Sequence, residues 1–298
     1  MKQIILMSFF IIAVLFQLKA QDINYKVIKD SPDENPKLNI FLNVFSFDAV
    51  SLKDANLQTS MNLGVGLNAK YFLSDKISFD AELNYKYFPL DGENKGIEVE
   101  GGGQFNFISK YKTPSSTRIV LSKTRYTDEI VERFVAIPNA GITKIHYSAR
   151  GGLLFNQFAS TSIDDVTYDD KFVTVNTFAV YAGISSENWR HLIVELTNDG
   201  RYKDTKLNTS NYFNFYADML LGSSSVSGDV TNTKYNLDGG VGFRFGVDII
   251  SSVAKSKETY NKKGKHSLFN GKVRLELGKY PGTGYYVKAT AAYRLFSM

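Results

Sequence analysis

Two residues of this chain have the types and spacing of a small hydrolytic centre. In "IHYSARGG" (145–152), His146 and Ser148 stand two positions apart. On a strand that spacing puts both side chains on one face. An imidazole beside a hydroxyl can take its proton and make the serine a nucleophile. An acid such as Asp164 or Asp165 could complete the set only if the chain turned back on itself. The other reading of the pair is two polar wall residues hydrogen-bonded to their neighbours. Little else in the chain offers chemistry. His146, His191 and His266 form no ligand cluster and there is no Cys, so no metal site is expected. No P-loop, GxSxG or dinucleotide fingerprint occurs. "GVGLNAK" (64–70) and "GGVGFRFG" (239–246) set glycines inside alternating strands, where they leave room for neighbouring side chains. No cofactor and no catalytic role are expected.

The elements that must carry these residues are strands. In "ISFDAELNYKY" (77–87) every second residue is apolar and every intervening one is polar. Period-2 alternation gives a strand with one oily and one wet face. The pattern recurs at 38–48, 60–72, 96–110, 116–126, 143–158, 171–185, 190–202, 211–222, 234–249, 269–280 and 285–296. That predicts about twelve strands (ten to fourteen), most longer than the ~5–6 residues of ordinary globular strands. Long alternating strands joined as hairpins are the signature of an antiparallel transmembrane β-barrel. Small residues on the oily face (Ala69, Ala81, Gly101, Gly239) suit lipid better than a packed core. Tyr and Phe gather at strand ends, as in Tyr71–Phe72 and Tyr285–Tyr286, where headgroups would lie. Trp189, at the start of a strand, is expected to be such an interface anchor.

Composition agrees with an envelope protein. The chain has 298 residues, 18 Tyr, 22 Phe and a net charge of +5, with no like-charge block that would suggest nucleic acid. "NKKGKHS" (261–267) reads as a short solvated basic turn. Mean hydropathy is −0.19, in keeping with only alternate residues meeting lipid. Lys2 followed by the apolar run Ile4–Phe16 and then "LKAQ" reads as a secretory signal peptide over 1–20, cleaved after Ala20. Residues 21–36 read as a polar lead, and 37–298 as the barrel.

The wet face then lines a lumen. Its candidates are Asp80, Glu82, Lys86, Glu98, Glu100, Lys144, His146, Arg150, Glu195, Asp218, Asp238, Arg244, Asp248, Lys272, Arg274, Glu276, Lys288 and Arg294. Mixed charge in a narrow bore fits a salt-bridged, filled interior as well as a conduit. Counting loops from periplasmic termini, 127–141 is expected outside the cell. Segment 252–266 is expected on the periplasmic side, where it is long for a turn.

The signal ending "LKAQ", the strand pattern and the aromatic last strand "YYVKATAAYRLFSM" together resemble outer-membrane β-barrel proteins of Bacteroidetes-like diderm bacteria. The resemblance implies an outer-membrane location, contact with outer-membrane lipid, and recognition by the barrel-assembly machinery. Here Ser297 and Met298 follow the terminal aromatic Phe296. The expected function is a non-catalytic barrel that either passes small solutes, porin-like, or scaffolds an envelope protein partner. A second expectation rests on the His-x-Ser of outer-membrane lipid A deacylases, which "HYS" is similar to. Those enzymes have Asn after the Ser, where this chain has Ala149. Parity also sends His146 and Ser148 inward rather than toward lipid. A third is a secreted soluble β protein.

Overall fold

The structure, a computed structural model, describes residues 23–33, 37–52, 59–89, 95–125, 130–163, 170–198, 205–208, 210–228, 236–252 and 271–297. The expected signal peptide, Asp164, Asp165, His266 and nearly all of 252–266 lie outside them. Fifteen strands are described. They are β1 (Ile23–Asp30), β2 (Leu38–Val50), β3 (Ser60–Phe72), β4 (Ile77–Pro89), β5 (Gly96–Lys112), β6 (Ser116–Arg125), β7 (Ile130–Pro138), β8 (Thr143–Ile163), β9 (Asp170–Arg190), β10 (Leu192–Asn198), β11 (Thr205–Asn208), β12 (Ser210–Gly228), β13 (Asn236–Ser252), β14 (Gly271–Lys279) and β15 (Tyr285–Ser297).

Ten of them, β2-β3-β4-β5-β8-β9-β12-β13-β14-β15, form a closed antiparallel barrel. Every neighbour in the ring is the next barrel strand along the chain. Closure comes from β15 on β2, from Tyr286 opposite Val50 to Ser297 opposite Asn39. A closed ring leaves no unpaired sheet edge. The all-β antiparallel barrel expected from the sequence is therefore present, with ten strands, the lower end of the expected ten to fourteen. The two surplus segments are real strands in the wrong place. Segment 116–126 becomes β6, paired only with β7, and 190–202 becomes β10, between β1 and β11. The polar lead at 21–36 carries a strand as well, since β1 pairs with β10.

Both ends of the barrel chain, the start of β2 and the finish of β15, lie at one end of the ring, here the proximal end. Following the hairpins, connections 51–59, 90–95, 164–169, 229–235 and 280–284 fall at the far end. Connections 73–76, 113–142, 191–209 and 253–270 fall at the proximal end, so all the elaboration is on the terminus side. Segment 127–141, expected opposite the termini, is thus on their side, because 116–126 does not cross the barrel.

The proximal additions form a small two-layer unit. Ile119 of β6 and Ile137 of β7 bury against Leu192 and Val194 of β10, with Ala140 between. Asp30 ties the unit to the barrel by accepting the backbone N–H groups of Gly141 (2.9 Å) and Ile142 (2.8 Å). Gly141 has φ +88°, and a Cβ there would stand 2.7 Å from Thr117 Oγ1, so the turn needs glycine.

The outer wall is apolar. Leu83, Val99, Phe105, Leu153, Ile184, Phe215, Leu221, Val241 and Leu277 stand 44–64% exposed around the ring. Tyr71, Tyr147 and Tyr293 ring this wall near the proximal end, and Tyr85, Tyr87 and Tyr285 near the far end. On β8, β9 and β12 the sidedness inverts toward the far end. Below, the outward residues are Leu153, Phe178, Val180 and Leu221. Above, they are Gln157, Asn176, Thr174, Ser223 and Ser225. Over the same rise the inward residues change from Arg150, Glu187 and Asp218 to Phe158, Val173 and Val175, all buried.

Candidate functional site

The buried inward side chains of the ring meet across the lumen. At its centre Arg244 of β13 donates two hydrogen bonds to Glu100 of β5 (2.9 and 2.7 Å) and one to Asp218 of β12 (2.5 Å). Arg150 of β8 stands 3.2 Å from the same Asp218. Arg274 of β14 bridges Glu82 (2.7 Å) and Asp248 (2.7 Å). Toward the far end Lys86 donates to Asp48 and Asn156, each at 2.5 Å, and Lys288 joins Glu82 (3.0 Å) to Glu98. Lys272 reaches Asn68 (3.1 Å) and, at 3.5 Å, Asp248. Glu276 accepts the hydroxyls of Tyr216 (2.6 Å) and Tyr286 (2.5 Å). Every one of these charged groups is buried. Burying charge is tolerable only when each ion is paired. Every ion here has a counter-ion, although Asp48 Oδ1, Glu98 Oε2, Arg150 Nε and Asp218 Oδ1 are buried without a hydrogen-bond partner.

Inward glycines give the network its shape. A Cβ at Gly102 would lie 1.9 Å from Tyr181 Oη, and one at Gly246 would lie 2.2 Å from the Tyr216 ring. The two tyrosines lie across the spaces these glycines leave. Arg244 sits 4.2 Å over the Tyr181 ring, and Arg150 sits 4.1 Å over Tyr216. The aromatic faces hold the guanidinium planes that the carboxylates grip by their edges.

Above the ions an apolar layer crosses the barrel. Val50, Leu154, Phe158, Val175, Ala179 and Leu220 pack with Tyr280 and Tyr286, whose rings stack 4.0 Å apart. The proximal mouth is different. Lys70 donates to Glu187 (2.5 Å) and lies 5.0 Å from the ring of Tyr212, whose hydroxyl also donates to Glu187 (2.8 Å). Lys144 at the rim donates to Asp33, just after β1, at 2.7 Å, and Tyr111 donates to the same oxygen at 2.7 Å. These bonds hold the lead over the mouth, and the Lys144 hydrogen bond draws the Asp33 carboxyl below its ordinary range. Trp189, expected at the lipid interface, instead lines the mouth between Phe72 (5.5 Å) and Tyr212 (4.2 Å).

Of the remaining lumen candidates, Asp80 is half-buried and lines a cavity of about 20 Å³ with Lys70, Arg150 and Lys272. That is room for about one water. Arg294 is partly buried, its guanidinium 5.4 Å from the Phe41 ring. Glu195 is not in the lumen, because its strand β10 belongs to the accessory sheet. Asp238 sits on β13, and its side chain lies outside the described residues.

His146 and Ser148 both point inward and are buried. Ser148 Oγ is engaged with Asn106 Oδ1 at 2.5 Å. The serine that meets His146 is Ser109, with 2.8 Å from its Oγ to Nδ1. Ser109, His146 and Glu187 form a row across β5, β8 and β9. In this row Glu187 accepts hydrogen bonds from Lys70 and Tyr212, and none from His146 occurs among the described residues. Ser109 escapes a parity reading because a bulge between Asn106 and Ile108 shifts the register by one residue. Nothing in the sequence marks that bulge.

Among the described residues no group of three or more His, Cys, Asp or Glu could hold a metal ion. No protein-family model matches the chain, and no curated protein matches it. Among solved structures it is similar to a CymD monoaromatic hydrocarbon channel, at 9% identity over 88% of this chain and 89% of that one, with a TM-score of 0.20. It is also similar to OmpT, an outer membrane protein of Vibrio cholerae in its trimer form. There the identity is 10% over 88% of this chain and all (100%) of that one, with a TM-score of 0.16.

Proposed function

We propose that this protein is a Bacteroidetes-type outer-membrane barrel that conducts no solute and catalyses no reaction. In this reading it stands in outer-membrane lipid, is inserted by the barrel-assembly machinery, and holds its terminus-side β unit in the periplasm as a platform for an envelope protein partner. The observation that carries the reading is the filled lumen. Cross-lumen ion pairs occupy the centre, and an apolar layer with stacked tyrosines lies above them. Membrane insertion is supported by the outer wall. Its apolar belt lies between two tyrosine girdles, and polar residues replace it on the part of β8, β9 and β12 that rises past the far girdle. A secreted soluble protein would expose this belt to water, far beyond the few hundred Å² of apolar patch usual on soluble monomers. Against the deacylase reading stand the inward aim of His146 and Ser148 and the engagement of Ser148 by Asn106.

The test is conductance. Refolded protein, with insertion checked by a heat-dependent gel shift, is expected to be silent in a planar bilayer. Steady, salt-dependent single-channel currents from the unaltered chain would overturn the closed-barrel reading. Sidedness is tested separately. The chain has no Cys, so single-cysteine variants report cleanly. A cysteine at Ser51 should be labelled by an impermeant maleimide in intact cells, and one at Ser115 only after the envelope is opened.

A further inference from the structure

The proximal mouth contains a cavity of about 210 Å³ for which a closed platform has no use. Phe72, Leu73 and Trp189 make its apolar wall. Two of its carboxylates are already engaged, Glu187 by Lys70 at 2.5 Å and Asp33 by Lys144 at 2.7 Å. Two lining charges of opposite sign are more open, Lys37 and the exposed Asp75, which is only loosely paired with Lys144. The exposed Lys37 side chain has no ion-pair partner among the described residues. The Asp75 side chain is 80% exposed, and its carboxylate lies 3.6 Å from a Lys144 ammonium already bound to Asp33. His146, also in the lining, turns its Nδ1 to Ser109.

We propose that this cavity binds a small zwitterion with an apolar body, an α-amino acid or the equivalent end of a short peptide. Its ammonium would lie toward Asp75, its carboxylate toward Lys37, and its side chain against Trp189 and Phe72. The commitment follows from charge complementarity. A lone cation or anion would answer only one of the two charges, and a neutral sugar would answer neither. The size fits one residue, since the cavity is below the ~300–1,000 Å³ typical of drug-sized ligand sites. The far end is sealed, so the site is a blind vestibule reached from the terminus side.

Trp189 is the chain's one tryptophan, so its emission reports this cavity directly. The full-length protein, folded in detergent, is titrated with leucine, with N-acetylleucine (no ammonium) and with leucinamide (no carboxylate). A saturable change with leucine is expected, weakened about tenfold or more for each blocked analogue. Asp75→Asn should abolish the preference over N-acetylleucine alone, and Lys37→Gln the preference over leucinamide alone. Both side chains are exposed, so neither change should disturb folding. The proposal is overturned by no response to leucine at tens of millimolar, by equal responses to all three compounds, or by a saturable response to N-acetylglucosamine in place of leucine.

Discussion

At the far end of the barrel, Phe158, Val175, Leu220 and the stacked Tyr280–Tyr286 pair close the ring with apolar packing, and the hairpin connections are short. At the proximal end a smaller apolar cluster of Phe41, Tyr212, Ile250 and Ala292 lies beside ion pairs that reach the rim, such as Lys70–Glu187 and Lys144–Asp33. What covers it is a strap held by Asp33 and a separate β unit held by Asp30. One end is closed by burial, which is non-directional and hard to reverse. The other is covered by a few charge-assisted hydrogen bonds, each with a defined direction and each removable by one atom-level change. An end closed in the second way can admit a ligand or a partner without unfolding the barrel.

Substitutions can break that contrast. The largest effect is expected where both ends depend on one centre. Arg244→Ala leaves Glu100 and Asp218 without the guanidinium that joins them and should cost about 3–5 kcal/mol, the usual penalty for breaking a buried ion pair. Urea unfolding in detergent, read by gel shift, measures it. Phe158→Ala at the far seal should cost about 3–4 kcal/mol, because its side chain is fully buried, and it is the variant most apt to raise conductance. Asp30→Ala should cost about 1–3 kcal/mol, the price of two orphaned N–H groups. That cost should appear as faster hydrogen exchange in the β6–β7 unit and leave the barrel's gel shift unchanged. A loss of barrel stability equal to that of Phe158→Ala would refute the difference between the ends.

The Asp33 strap should respond to pH. Its carboxyl is held below the ordinary value by the Lys144 hydrogen bond. The folded state therefore gains stability from it at neutral pH, and the gain disappears as pH falls through the lowered value. Below the ordinary Asp range, about pH 4, Trp189 emission should step. Asp33→Asn should remove the step. The smallest effect is expected from Ser148→Ala, which should leave the lipid profile of the membrane unchanged.

The sequence shows the barrel better than it shows the lumen, for identifiable reasons. Alternation at Ile77–Tyr87 or Gly96–Phe105 follows directly from an apolar outer wall and ions inside. The same alternation in "LIVEL" of β10 comes from a small water-bathed sheet, and period alone cannot separate the two media. Length sets β10, with 7 residues, apart from β8 and β9, with 21 each, but not accessory β6, with 10, from barrel strand β14, with 9. The charged residues of the lumen are legible as a set, but not their partners. Arg244 and Glu100 lie 144 positions apart, and their meeting depends on strand order, stagger and bore together. A tryptophan at a strand end reads alike whether it faces headgroups or a mouth, and Trp189 faces the mouth.

In the proposed membrane setting, the inversion of sidedness along β8, β9 and β12 also bears on how the molecule would ride in a bilayer. A plain apolar cylinder can bob by a residue or two at little cost. Here a downward slip would draw Asn176 and Ser223 into hydrocarbon, and an upward slip would lift Phe178 and Leu221 into water. The two penalties oppose each other and act on one arc of the ring only. In that setting they would work as a depth gauge, fixing both the height of the protein and its tilt, and so the distance at which anything mounted beneath it is held from the membrane.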